Sequence, residues 1–322
     1  MPALVETRHL KTYFKTPKGM LHAVDDVNIS IEKGKTLGVV GESGCGKSTL
    51  GRTIVHLLKS TDGEILFDGK DVTHAKKDEL RKLRENMQII FQDPFSSLNP
   101  RYTVLQTIAE PLTLSGRLKK SEIEEEARKV MDVVGLDRRL EGAYPHELDG
   151  GRRQRIGIGR ALALRPEFVV CDEPVSALDV SIQAQILNLI KELQIKYGTT
   201  FMFITHDLSV VRHISHNICV MYLGQVVEFS ESKELFEKTI HPYSKALLSA
   251  IPSTDIHNQK PRIILQGEVV SPINPAPGCR FAARCPYATE ECAQPQVLRE
   301  VLPGHSVACH RAEELNPELF GK

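Results

Sequence analysis

Several features are absent from these 322 residues, and each absence narrows the reading. There is no net charge, since 41 Lys and Arg stand against 41 Asp and Glu. A neutral chain offers no global field to draw in a polyanion, so nucleic acid is not an expected partner. No stretch reaches the roughly 18 to 20 consecutive apolar residues of a membrane-spanning helix. The opening MPALVETRHLKTYF also lacks the apolar core of a secretory signal, so the chain is expected to stay in the cytosol. There is no internal repeat, no low-complexity tract and no sustained heptad pattern, which sets aside solenoids and long coiled coils. No two of the seven cysteines are spaced C-x₂-C, the pair that most structural zinc sites contain.

What remains is the composition of a soluble globular protein, 25% charged and 41% hydrophobic, with length for about two domains. Residues 5–40 alternate β-branched and polar positions around the turn TPKGM, which predicts a β-rich opening. TLGVV (36–40) reads as a buried strand running into a Gly-rich loop, after which STLGRTIVHLL has helical apolar spacing. GEILFDG and MQIIF read as strands and KKDELRKLREN as an exposed helix. From about 96 to 165 the pattern turns helical, with SEIEEEARKVMDVVG expected to start at a Ser121 N-cap. FVVCD and TTFMFIT resume the buried β pattern on either side of the amphipathic SIQAQILNLIKELQIKYG. The hairpin ICVMYLGQVVEF and two short helices follow, and from about Pro252 the chain becomes Pro-rich, as a linker would. Alternating β and α segments imply an α/β class with a largely parallel sheet. The expected domains are residues 1–235 with the helical insertion, and a small Cys-rich module over 236–322.

The chemistry concentrates first in GESGCGKST (41–49), a phosphate-binding loop G-x-x-x-x-G-K-[ST] set between a strand and a helix, which makes the core a P-loop NTPase. Gly44 and Gly46 let backbone N–H groups turn toward a β-phosphate, Lys47 brings a point charge to the β and γ oxygens, and Ser48 offers a hydroxyl to Mg²⁺. The nucleotide-binding set of the loop is taken as Gly41, Ser43, Gly44, Cys45, Gly46, Lys47, Ser48 and Thr49. FVVCDE ends a buried strand in two acids, so Asp172 is expected beside the metal and Glu173 beside an attacking water. Arg152, Arg153, Arg155 and Arg160 form a basic run, read as a helix face near the nucleotide or the acidic strand ends. Cys45, Cys171 and Cys219 read as scattered reduced thiols.

With these residues in order, the chain resembles the ATP-binding cassette family. LDGGRRQR (148–155) is similar to its signature, SALD (176–179) to its D-loop, Gln92 in IIFQDP to its Q-loop, and His206 in FITHD to its switch histidine. The resemblance implies ATP and Mg²⁺ as ligands and head-to-tail dimerisation, so that Asp149, Gly150 and Gly151 cover the partner's nucleotide. It puts Phe14 where an aromatic stacks on adenine, with Tyr13 as the alternative, His206 at the γ-phosphate, and Gln92 with Ser48 and Asp172 at the metal. A soluble cassette ATPase of DNA repair or translation is the competing class. Such proteins usually carry two cassettes or a long coiled coil, so transport is favoured.

HPYSKALLSAIP (241–252) and PGCRFAARCPYATEEC…VAC (278–309) resemble the tail of ATPase subunits of oligopeptide and dipeptide importers, a group that also moves nickel and sugars. This implies two membrane permeases, an extracytoplasmic solute-binding protein and a peripheral place on the cytoplasmic face of the membrane. The tail cysteines Cys279, Cys285, Cys292 and Cys309 are separated by five, six and sixteen residues. Wide loop spacing favours a 4Fe-4S cluster over zinc, with disulfides disfavoured in a reducing compartment. A folding staple is favoured over a redox sensor.

One departure stands out. The family signature reads Leu-Ser-Gly-Gly-Gln, whereas here it is Leu148, Asp149, Gly150, Gly151 and Arg152. A carboxylate about 5 Å from a phosphate charge costs roughly 3 kcal/mol at an effective dielectric near 20. Arg152 and a helix N-terminus at Gly150 and Gly151 would offset it by turning Asp149 aside. The expectation is a heterodimer with two unequal sites, in preference to a homodimer.

Overall fold

The computed structural model describes residues 2–251, 261–268 and 270–321, so the linker expected from Pro252 begins outside the described residues. Two compact units emerge, one of residues 1–4, 31–35 and 74–204, the other of residues 5–30, 36–73 and 205–322.

The second unit holds the first part of the chain. Strands β1 (Ala3–Thr16) and β2 (Gly19–Glu32) turn at 17–18. β3 (Thr36–Val40) is buried along its whole length, and α1 (Lys47–Ile54) follows the Gly-rich loop. β4 (Asp62–Phe67) and β5 (Lys70–Asp71) complete a small antiparallel sheet of order β2-β1-β4-β5.

The first unit takes up the chain at α2 (Lys77–Asn86) and β6 (Met87–Ile90), and passes through α3 (Val104–Ser115), α4 (Lys120–Val133) and α5 (Gly150–Leu162). β7 (Phe168–Asp172), α6 (Val180–Tyr197) and β8 (Thr200–Ile204) close it. β6, β7 and β8 pair in parallel, and β7 and β8 are buried at every residue, as continuous apolar runs between crossover helices require. α3 opens on a capping box between Thr103 and Gln106, and α6 stops at Gly198 with φ +65°. Gly159 lets α5 approach closely, since a Cβ there would sit 3.3 Å from Ile108 and 3.4 Å from Val130. The Ser121 cap is corrected: the N-cap of α4 is Lys119, two positions earlier, and the Lys119 N–H is satisfied by the Glu122 carboxylate at 2.8 Å. Glu122 reaches back from the first turn to the N–H of the cap residue, the acidic half of a capping box.

The chain returns to the second unit in α7 (Leu208–Ile214), β9 (Asn217–Tyr222), β10 (Gln225–Glu231), α8 (Ser232–Glu237) and α9 (Pro242–Ser249). β9 runs parallel to β3 and antiparallel to β10. The tail does not stand apart from this sheet. β12 (His305–Val307) pairs with β10, opposing Val307 to Glu228, and β11 (Arg299–Leu302) pairs with β12. Ile240, Val307 and Ala312 form a buried cluster with Leu319 and Phe320 against it. The Glu228 carboxylate, fully buried, accepts from the N–H of Ile240 at 2.8 Å and of His241 at 3.2 Å, and lies 2.8 Å from His305 Nε2. A polar group at that depth is tolerated because every partner is in place.

Candidate functional site

The loop of residues 41–49 wraps its own lysine. Lys47, 4% exposed, donates from Nζ to the carbonyls of Gly41 at 2.8 Å and Glu42 at 2.9 Å. The glycines at 41 and 46 are obligatory: φ is +150° and +104°, and a Cβ would fall 2.2 Å from the Met221 carbonyl oxygen and 2.0 Å from that of Ala23. Gly44, φ +76°, has open space where a side chain would be, and Ser43 and Gly44 are exposed. Ser48 and Thr49 lie in the first turn of α1 and Cys45 is buried. Burial pushes the Cys45, Cys171 and Cys219 thiols up, in keeping with inert reduced residues.

Sequence reasoning missed how this loop is held. Arg284, on the turn between two tail cysteines, grips the Glu42 carboxylate with both terminal nitrogens at 2.6 and 3.1 Å, and the carboxylate holds the guanidinium pKa above its ordinary value. The Glu42 N–H donates to the Tyr243 hydroxyl at 2.8 Å. Tyr222, Tyr243 and Phe281 pack ring against ring beneath it. Four residues earlier on the same turn, Arg280 pairs with Asp25 and with the Leu223 carbonyl. The spacing of two arginines in CRFAARC was visible, but no local pattern names a partner 242 positions away. Asp25 also accepts from the Tyr13 hydroxyl, and the Tyr13 ring stacks on His22 at 3.8 Å, whereas Phe14 is 37% exposed. Of the two aromatics, Phe14 is the one with a ring on the surface. His206, exposed, follows β8 one residue after Thr205, just before Asp207 caps α7.

In the first unit β7 carries Asp172 to a fully buried position and Glu173 just past it. Glu173 has φ +48°, a left-handed conformation costing about 1 to 3 kcal/mol that surrounding structure must hold. Its N–H bonds to the Ile204 carbonyl at 3.0 Å, and its carboxylate receives the Gln92 amide at 2.9 Å. The structure thus brings together two residues 81 positions apart that the resemblance placed at one reaction.

Asp149 proves to be the N-cap of α5. Its Oδ1 accepts from the Arg152 N–H at 2.8 Å, and its Oδ2 lies 3.3 Å from Arg152 Nε. The carboxylate is occupied with its own helix, as the substitution required. A Cβ on Gly151 would meet Ile182 at 2.8 Å, and one on Gly150 would meet Leu178 at 3.2 Å, so the glycine pair lets α5 press against α6 and the SALD turn. The rest of the basic run lies on α5, as expected of a helix face, and clamps loops of its own unit. Arg153 donates to the Pro145 carbonyl and covers the Phe95 ring, Arg155 donates to the Val134 carbonyl, and Arg160 to that of Ser97.

Cys279, Cys285, Cys292 and Cys309 all line one small cavity of about 20 Å³, together with Phe281 and His310. Burial pushes the Cys279 thiol up to about 11 and raises Cys285 and Cys309 as well. The Thr289 N–H points at Cys292 Sγ, 3.4 Å away. Among the described residues no three His, Cys, Asp or Glu side chains converge as ligands of a single metal ion, and no helix is long and apolar enough to cross a membrane.

These features have counterparts in known proteins. The family model described as ABC transporter matches residues 24–176, and that of the oligopeptide/dipeptide transporter C-terminal region matches 227–292, which takes in Cys279, Cys285 and Cys292. The chain is 49% identical over 318 residues to the oligopeptide transport ATP-binding protein AppF of Bacillus subtilis, covering 95% of this chain and 97% of that one. It is also 49% identical over 308 residues to OppF of Salmonella typhimurium, with 95% and 92% covered. Among solved structures, a dimeric post-hydrolysis state of the ATP-binding cassette MJ0796 bound to ADP and Pi superposes with a TM-score of 0.66 at 30% identity, over 71% of this chain and 98% of that one. CbiO1 of Clostridium perfringens, part of an ABC transporter complex, gives 0.66 at 29% identity, over 74% and 92%. With family models matching both the phosphate-loop region and the tail, and 49% identity along nearly the whole length, the chain belongs to the ABC transporter family, among the ATP-hydrolysing subunits of the oligopeptide and dipeptide importer group.

Proposed function

We propose that this protein powers the import of di- and oligopeptides, or a related small solute, by hydrolysing ATP at the cytoplasmic face of the membrane. The observation that carries the reading is 49% identity over 95% of the chain to proteins named for oligopeptide transport, extending through the tail. The implied partners are two membrane permeases, an extracytoplasmic binding protein that delivers the solute, and a second homologous ATPase subunit. Co-purification with the permeases, followed by uptake of labelled peptide, tests it. Failure of both would leave an ATPase uncoupled from transport.

In the proposed reaction Phe14 stacks on adenine, and the backbone of Gly41, Ser43, Gly44, Cys45 and Gly46 cradles the phosphates with Lys47 and Thr49. Glu173 takes the proton of the attacking water, held in place by Gln92, while His206 contacts the γ-phosphate. Ser48, Gln92 and Asp172 offer hydroxyl, amide and carboxylate oxygens, a hard donor set suited to Mg²⁺, which when bound neutralises phosphate charge. Asp149, Gly150 and Gly151 cover the nucleotide of the second subunit. With Asp149 engaged by Arg152, that cover differs from the family's serine, which favours a heterodimer with two unequal sites. In the assembled complex, Asp149→Ser with Arg152→Gln should change hydrolysis at the partner's loop and spare the site built on Lys47; rates the same as the parent's at both sites would end the asymmetry argument.

Cys279, Cys285, Cys292 and Cys309 would hold a 4Fe-4S cluster acting as a folding staple. The reading is supported by four thiols that line one cavity and by their wide loop spacing.

A further inference from the structure

We propose that Arg284 is a positioning residue for ATP binding, acting through Glu42 of the phosphate loop. Glu42 is held at three points. Its N–H goes to the Tyr243 hydroxyl at 2.8 Å, its carbonyl takes Lys47 Nζ at 2.9 Å, and its carboxylate is gripped by Arg284 at 2.6 and 3.1 Å. Arg284 is buried, its side chain 8% exposed, with the Tyr222 hydroxyl 3.4 Å from the nitrogen that makes the shorter bond. An acid in a loop that must receive a polyanion is a charge in the wrong place. It repels phosphate oxygens, and only five positions along it could capture the Lys47 ammonium meant for them. The bidentate guanidinium neutralises the carboxylate and fixes its rotamer, leaving Lys47 and the backbone N–H groups to the nucleotide. Because Arg284 stands beside Cys285, the tail is tied directly into the loop.

This rests on the reading of residues 41–49 as the ATP phosphate site, and the controls separate the two. Binding of MgATP and of AMP to the full-length protein is measured by calorimetry, with a melting curve for every variant. Arg284→Ala should weaken MgATP about tenfold and AMP less than about threefold, since repulsion by an unpaired carboxylate grows with phosphate charge. Arg284→Lys, which keeps the charge and loses the fork, should stay within about threefold of the parent. Adding Glu42→Gln to Arg284→Ala should recover most of the lost affinity, a rescue that a merely structural arginine would not show. If Arg284→Ala melts early, Arg284→Gln is compared with and without Glu42→Gln. Parental MgATP affinity in Arg284→Ala and Arg284→Gln, or a loss that Glu42→Gln does not reverse, overturns the proposal. Parental affinity in Lys47→Ala would instead overturn the loop assignment beneath it.

Discussion

Gln92 donates its side-chain amide to the Glu173 carboxylate at 2.9 Å, and Glu173 holds this position with a left-handed backbone at φ +48°. A strained acid oriented by a neutral donor has the geometry of a preset general base. Gln92→Ala should therefore lower ATP turnover by about tenfold or more while MgATP affinity changes little. Single-turnover hydrolysis separates the two, and equal losses in binding and turnover would give Gln92 a different role.

Lys47 contributes a nearly buried ammonium already desolvated in the loop. Its charge-assisted bonds are worth roughly 1.5 to 3 kcal/mol each, so Lys47→Ala should weaken MgATP by about 10 to 100-fold. Equilibrium binding checks this directly.

Asp149 should matter for stability before it matters for chemistry. As the α5 N-cap it contributes about 1 kcal/mol, which Asp149→Ala should lose and Asp149→Ser should keep. Chemical denaturation reads the difference; equal destabilisation by Ala and Ser would mean that the cap is not what the carboxylate supplies.

The tail gives a visible test. Protein purified without oxygen should be brown, absorbing near about 400 nm, and Cys285→Ser should bleach it. Colourless protein with stoichiometric zinc would replace the cluster. Loss of the group should loosen the tail more than the rest, and limited proteolysis can locate the change.

Much of this was legible because it is local. TLGVV, FVVCD and TTFMFIT are short apolar runs that are buried strands, and the glycine at 198 ends a helix where its conformational freedom is needed. Asp149 was readable as an acid displaced toward Arg152, because a helix start and a basic residue three positions on lie in the same stretch. What the sequence hid is long-range or conformational. Nothing local pairs Arg284 with Glu42 or Arg280 with Asp25, and no propensity assigns Glu173 a positive φ. The basic run was legible as a helix face, but not the carbonyls of Pro145, Val134 and Ser97 that its arginines bind. Likewise the tail read as a module apart, since two short strands with little periodicity do not announce that they will extend an existing sheet.

The central claim is that hydrolysis at Glu173 drives solute import. It is tested most directly by labelled oligopeptide uptake in cells carrying the permeases, the binding protein and either the parent or Glu173→Gln. The substitution removes the charge at the water and leaves the phosphate contacts, so MgATP binding should persist while uptake and hydrolysis fall together, by about 100-fold or more. Undiminished uptake in Glu173→Gln would contradict the account.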